Sequence, residues 1–311
     1  MTGLAVSKSI DIQLKSVLVA TDFSPASEKA LRHAAAIARH YGSKLYIAHV
    51  VSGLGFVMAG PDSSAMASGL AEKNLEKLEQ QLIIRGALAG LTHEMIVREG
   101  EVWEELEKVV AQRSVDMVVI GTHSRTGIAK LVLGSVAEEI FRHASCPVLT
   151  VGSHCPADAQ ISAQESIRPI LFPTDFSDTS LRALPYAISL TNEQQARLVL
   201  LHMLSPVPEI QGNRWYTAND VIDSRKAARA EKVKQLHWLV RHAKLAIDPI
   251  CMAEFGEPAE GILWAARKLN AEAIIMGLRR KTHVDAMSHL PWSTAYKVVR
   301  GACSAVLTVR G

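Results

Sequence analysis

The sequence predicts an α/β fold built twice, as two tandem five-stranded, doubly wound parallel sheets. Three observations predict it. Residues 16–31 (SVLVATDFSPASEKAL) and 169–184 (PILFPTDFSDTSLRAL) agree at eight of sixteen aligned positions, so the chain repeats itself. The period of about 155 residues is too long for a solenoid unit and matches one ordinary domain. Within each copy, short apolar runs rich in β-branched residues alternate with helical periodicity, the pattern of a parallel sheet with crossover helices. At 311 residues and 48% apolar content, the chain is long enough to bury two cores.

In the first copy Ser16–Ala20 reads as a buried strand. After a turn at Thr21-Asp22-Phe23, Ser24 is placed to cap a helix and Pro25 suits its first position, where a missing N–H costs nothing. Ala30, Leu31, Ala34, Ala35, Ile37 and Ala38 form one apolar stripe, and Gly42 stands where a C-terminal glycine belongs. Lys44–Val51 is a second strand. The Gly/Ser/Met-rich stretch Ser52–Gly69 reads as a loop, and a charged helix is expected over about Leu70–Leu88. A strand at Thr92–Arg98, a helix at Val102–Gln112 and a strand at Asp116–Ile120 follow. After the loop GTHSRTGIAKLVLG, a helix at Ser135–His143 and a strand at Val148–Val151 close the unit.

Residues 152–167 are polar, small and aperiodic, so they read as a linker between domains at 1–151 and 168–311. The second copy repeats the order: strand Ile170–Phe172, helix Ser180–Leu190, strand Leu198–Met203, a loop through Pro206, Pro208 and Gly212, a charged helix over about Val221–Leu245, and a strand around Pro249–Glu254. Helix Ala259–Leu269, strand Ala273–Met276, helix Thr294–Arg300 and strand Ala305–Val309 complete it.

Composition narrows the function. The formal charge is only +3 with acids and bases interspersed, and no basic stripe suggests a nucleic-acid partner. No apolar run approaches the ~20 residues needed to cross a bilayer. The first fifteen residues lack the apolar core and small-residue cleavage site of a signal peptide, so the cytoplasm is the expected location. Cys146 and Cys303 occupy matching places before the last strand of each copy and read as small buried packing residues rather than disulfide partners. His143, Cys146, His154 and Cys155 have no standard zinc spacing, so no metal is assigned to them.

The stretch most suggestive of chemistry runs from Gly121 to the helix at Ser135. A doubly wound sheet binds ligands at the carboxyl ends of its strands, where strand order reverses. Gly121 follows strand four directly, and a glycine there admits positive φ and a close approach of backbone to phosphate. Ser135 opens a helix whose first amides and dipole favour an anion, and Ser135 with Glu138 fits a capping box. Arg125 and Lys130 lie between and are placed to offset phosphate charge. A glycine-bearing loop that binds nothing is the plainer reading.

Together, VATDFS and the segment GTHSRTGIAKLVLGSVAEEIFRHASCPVLTV resemble the universal stress protein family over nearly the whole chain, as two tandem copies. The resemblance implies a Rossmann-like fold of the adenine nucleotide alpha hydrolase type. The family's nucleotide-binding members carry Gly-x2-Gly-x9-Gly-Ser/Thr; here Gly121, Ser124 in place of the second glycine, and Gly134-Ser135 hold those spacings. A serine at 124 is strained if that position needs positive φ, and tolerable if the glycine only clears space; Gly127 keeps some freedom nearby. By resemblance, ATP or a related adenine nucleotide, with or without Mg²⁺, would be held by Ala20, Thr21, Asp22, Val50, Gly121, Ser124, Arg125, Gly127, Gly134, Ser135 and Val136. Asp22 is equally suited to a local turn, since Asp175 repeats it. His49 and His202 read as packed histidines. The resemblance also implies pairing of the two domains through their last strands, Val148–Val151 and Ala305–Val309, with a further homodimer possible.

The second copy serves as a control. Gly277 matches Gly121, but Arg280 stands opposite Ser124, Pro291-Trp292 opposite Gly134-Ser135, and Met203 opposite Val50. Standard nucleotide binding is therefore expected in the first copy alone, with Arg279, Arg280 and Lys281 forming either a solvated basic loop or a different anion site. No nucleophile elbow, Walker lysine or metal pair marks a dedicated enzyme. The readings are an adenine-nucleotide-binding regulator, a non-binding interaction module, or a weak ATP hydrolase.

Overall fold

The computed structural model describes residues 12–52, 61–122, 134–152, 168–205, 217–279 and 294–310. The chain divides into two compact units. The first carries, in chain order, β1 (Ser16–Ala20), α1 (Pro25–Tyr41), β2 (Lys44–Val51), α2 (Pro61–Ile84), β3 (His93–Glu99), α3 (Val102–Gln112), β4 (Met117–Gly121), α4 (Ser135–His143) and β5 (Val148–Val151). Its strands run parallel in the order β3-β2-β1-β4-β5, which reverses direction between β1 and β4. That reversal leaves a crevice above the carboxyl ends of β1 and β4.

The second unit repeats the plan with β6 (Ile170–Pro173), α5 (Asp178–Leu181), α6 (Leu184–Glu193), β7 (Leu198–Leu204), α7 (Ala218–Val240), β8 (Ile250–Phe255), α8 (Pro258–Lys268), β9 (Ala273–Leu278), α9 (Thr294–Gly301) and β10 (Ala305–Arg310). Its parallel strands are ordered β8-β7-β6-β9-β10. β6 is buried throughout and β1, β4 and β7 over their first four residues, so these strands read as continuous apolar runs and not as alternating ones.

The eight identical positions of the repeat now have physical causes. Leu18 and Leu171, Ala30 and Ala183, and Leu31 and Leu184 are core residues. The other five build one turn. Phe23 N–H donates to Thr21 Oγ1 (3.1 Å) and Ser24 N–H to Asp22 Oδ1 (3.0 Å). Ser24 caps α1 by accepting from Ser27 N–H (3.2 Å), while Ser27 Oγ donates to Ser24 O (2.9 Å). The Ser27 proton being used there, the 3.1 Å contact between Thr21 and Ser27 hydroxyls is a donation from Thr21. The second unit repeats every bond at Thr174, Asp175, Phe176, Ser177 and Ser180. The turn forces Phe23 (φ 61°) and Phe176 (φ 62°) into the left-handed region, uncommon for a bulky residue.

Several expectations need correction. The segment read as loop through Gly69 is helical from Pro61, a residue suited to a helix start; Ala71, Leu75 and Leu82 anchor the helix and offset the interior Gly69. The single helix expected over Ser180–Leu190 is two, because Pro185 lacks an N–H and its ring would strike the Leu181 carbonyl of a continuous helix. α7 starts at Ala218 under a Thr217–Asp220 capping box and stops at Val240, five residues short of Leu245. Cys303 is exposed and Cys146 only half-buried, so neither is the fully buried packing residue expected; the small buried groups there are Ala302 and Ala144.

Candidate functional site

The crevice of the first unit encloses about 540 Å³, within the range of small-molecule pockets. Three strand ends supply its floor. Ala20, Thr21 and Asp22 follow β1, Ala48, His49 and Val50 end β2, and Ile120 and Gly121 end β4. Val102 and Leu106, one turn apart on α3, add an apolar wall. Gly134, Ser135, Val136 and Ala137, at the start of α4, form the opposite side.

All eight described residues of the sequence-predicted site, Ala20, Thr21, Asp22, Val50, Gly121, Gly134, Ser135 and Val136, line this one cavity. Ser124, Arg125 and Gly127 lie outside the described residues, as do Arg280, Lys281, Pro291 and Trp292. Sequence reasoning did not place His49, Ala48, Val102, Leu106 or Ile140 in the site. The spacing of Val102, Leu106 and Val109 is that of one helix face, but periodicity does not say which part of a face borders a cavity.

The two ends of the cavity differ chemically. At α4, Gly134 is the N-cap (φ −61°) and offers no side-chain acceptor. Among the described residues, the first hydrogen bond of α4 is Glu138 N–H to Gly134 O (2.9 Å), and the cap offers no side chain to the amides before it. This overturns the capping box: Ser135 is inside the helix, not at its cap, and Glu138 pairs with Arg142 on the next turn. First-turn amides and the positive end of a helix favour an anion. At the far side, Val50, Val102 and Leu106 suit an apolar or aromatic group.

Gly121 does not take the positive φ expected of it, and it has a packing reason to be glycine. A Cβ there would lie 2.5 Å from the Ala26 carbonyl oxygen of α1. At Gly277 the same atom would lie 2.3 Å from the Thr179 carbonyl oxygen. The glycine admits the helix, in both units alike.

His49 is a positioning group. A carbonyl only accepts, so the 2.7 Å contact between His49 Nδ1 and Thr21 O places the proton on Nδ1 and leaves Nε2 as the acceptor of the neutral ring. The ring also packs on Phe23 at 4.5 Å between centroids. His202 repeats both contacts, to Thr174 O (2.8 Å) and Phe176 (4.7 Å). Burial, reinforced by Lys232 and opposed by the Thr174 carbonyl and Asp175, holds the His202 pKa below its ordinary value. In this unit Arg279 also reaches Asp175 (3.6 Å). Burial opposes ionisation of Asp175, but hydrogen bonds from Ser177 and Ser180 and the Arg279 charge outweigh it and lower its pKa.

Among the described residues, no three His, Cys, Asp or Glu side chains are grouped to hold a metal ion. No described helix is long and apolar enough to cross a membrane.

Comparison with known proteins identifies the family. The model of the universal stress protein family matches residues 13–152 and again 166–310. The chain belongs to the universal stress protein family. It is 26% identical over 301 residues to a universal stress protein of Mycolicibacterium smegmatis, covering 94% of this chain and 96% of that protein. It is 30% identical over 139 residues to universal stress protein MJ0531 of Methanocaldococcus jannaschii, covering 44% of this chain and 81% of that one. A universal stress protein crystal structure from Archaeoglobus fulgidus shares the fold at a TM-score of 0.67 and 19% identity, over 96% of this chain and 99% of the other. The tandem arrangement of two universal stress protein domains thus extends across the chain.

Proposed function

We propose that the first unit binds one adenine nucleotide, ATP or a close relative, and that the protein acts in the cytoplasm as a nucleotide-responsive regulator of the stress response. The observation that carries this reading is the polarity of the cavity. The start of α4 at Gly134-Ser135-Val136, where the cap residue has no side chain, favours phosphate, and Val50, Val102 and Leu106 favour a flat apolar base. Asp22 stands exposed at the mouth, beside the β1 end, where a ribose or a phosphate-borne Mg²⁺ would lie. Such an ion would reach the site on the nucleotide, since Mg²⁺ commonly takes one carboxylate with substrate phosphates and waters. The residues of the cavity bind and orient the nucleotide.

Isothermal calorimetry of the full chain with ATP, ADP and AMP tests the reading. About one nucleotide per chain is expected, with affinity falling as phosphates are removed. Absence of binding by all three would refute it and favour a second reading, a scaffold without nucleotide. One observation favours that alternative: Asp22 and Gly121 both have structural duties that their second-unit counterparts share.

A further inference from the structure

α7 follows β7 at the carboxyl ends of the second sheet and runs back along it, so its first turns stand over those ends. Arg225, Arg229, Lys232, Leu236 and Val240 recur at intervals of four, three, four and four residues, which places them on one face of the helix. Leu236 and Val240 are buried, and α7 packs on β7 and β8. Toward the start of the helix the same face is basic. Arg225 and Arg229 lie over the Phe255 ring at the end of β8, at 4.9 and 5.8 Å, and Arg229 pairs with Glu254 (2.9 Å). Lys232 stands 5.1 Å from the Phe176 ring, in the turn after β6, and donates to Gln235 (3.2 Å). Arg279, one residue past β9, reaches Asp175 in that turn (3.6 Å).

Packing alone does not call for this row of cations. Counted back from Leu82 and Val240, the last buried residues of α2 and α7, Ala71 and Asn74 stand in the first unit where Arg229 and Lys232 stand in the second. Like charges three and four residues apart on a helix repel one another. The acids of α7 do not relieve that repulsion, because Asp220, Asp223 and Glu231 lie off the basic face and bond to Thr217, Lys226 and Gln235. Among the described residues Lys232 has no carboxylate partner. The two ion pairs of the row are open to solvent, with Arg229 50% and Arg279 78% exposed, so each is worth little and can be exchanged for a stronger anion.

From this we infer that the basic face of α7, with Arg279, binds a linear oligophosphate, a chain of linked phosphates lying along the helix over the ends of β6 and β8. Arg225 and Lys232 are seven residues apart, about 10 Å along the axis, which is long for one phosphate and suits a chain. A guanidinium fork matches phosphate oxygens two at a time and keeps its N–H groups free at the edge when it stacks on a ring. This surface is separate from the cavity of the first unit, so the inference stands whether or not that cavity holds a nucleotide.

Calorimetry of the full chain with inorganic phosphate, pyrophosphate and tripolyphosphate tests it, in a Ser135→Asp background that weakens phosphate at the start of α4. Affinity is expected to rise with each added phosphate and to fall with added salt. Arg225→Gln, Arg229→Gln and Lys232→Gln should each weaken tripolyphosphate about threefold, and the three together about tenfold or more. Glu254→Gln should tighten it about threefold, because the competing carboxylate is gone. Lys234→Gln removes the same charge from the other side of α7 and should leave the affinity unchanged. Circular dichroism checks that each variant is folded. ATP carries three phosphates on a nucleoside: affinity equal to that of tripolyphosphate assigns the chain in either form, and weaker ATP assigns the free chain. No binding of tripolyphosphate, losses from Lys234→Gln equal to those from the basic-face variants, or a loss with Glu254→Gln would each overturn the inference.

Discussion

The Nδ1 of His49 lies 2.7 Å from the carbonyl oxygen of Thr21, and this bond ties the end of β2 to the turn that forms the cavity floor. The turn is held in an unfavourable backbone conformation at Phe23, so the tie has strain to oppose. His49→Phe keeps a ring against Phe23 but loses the hydrogen bond. It should cost about 1 kcal/mol, within the usual range for a buried hydrogen bond, and His49→Ala should cost more through lost packing. Urea unfolding of the full chain measures both. If neither variant loses stability, the bond does not hold the turn.

Gly121→Ala and Gly277→Ala should be destabilising to a similar degree, about 1–3 kcal/mol each, because each new Cβ meets a helix carbonyl that packing holds in place. Denaturant midpoints for the two variants provide the comparison. A Gly121→Ala protein of normal stability that has lost only nucleotide binding would return the glycine to the ligand.

Ser135→Asp separates helix stability from binding. A carboxylate in the first turn of α4 complements the helix dipole and should add up to about 1 kcal/mol. The same charge should repel phosphate and weaken ATP about tenfold or more, while adenosine, which has none, binds nearly as before. Calorimetry with the two ligands decides it; equal losses for both would argue that the phosphates lie elsewhere.

His202 makes stability depend on pH. Its folded pKa lies below the unfolded value of 6.5, so the unfolded chain binds the proton more readily. Its contribution is fully present above pH 6.5 and is lost as pH falls through 6.5 toward the folded pKa. His33, whose pKa is lowered mainly by burial with Arg32 and Lys29 adding to it, acts in the same direction. His202→Phe should therefore flatten, without abolishing, the decline in melting temperature on acidification across that window. An unchanged slope would show that His202 titrates normally.

How far the site could be read from sequence depended on whether a residue acts locally. Ser24, Pro25 and Gly42 declared the ends of α1 because a cap is made within four residues. The run of β-branched residues likewise declared each buried strand. Pro185 was equally visible, but the repeat suggested an unbroken helix and masked it. Ser135 misled for a related reason: Ser-x-x-Glu is a capping signal only when the serine stands outside the helix, and Gly134 takes that place.

By itself, then, the sequence determined that one fold is made twice, that the strands are parallel, and that the turn Thr-Asp-Phe-Ser is common to both copies. These follow from periodicity, caps and repetition, which are properties of neighbouring residues. Only the tertiary structure decided why those residues are shared. Gly121 and Gly277 are needed by a helix that crosses them about a hundred residues away in sequence, and Met203 fills a space defined by a glycine nearly sixty residues further on. Close approach between distant backbones leaves no periodic trace, so these contacts became visible only when the strands and helices were in place.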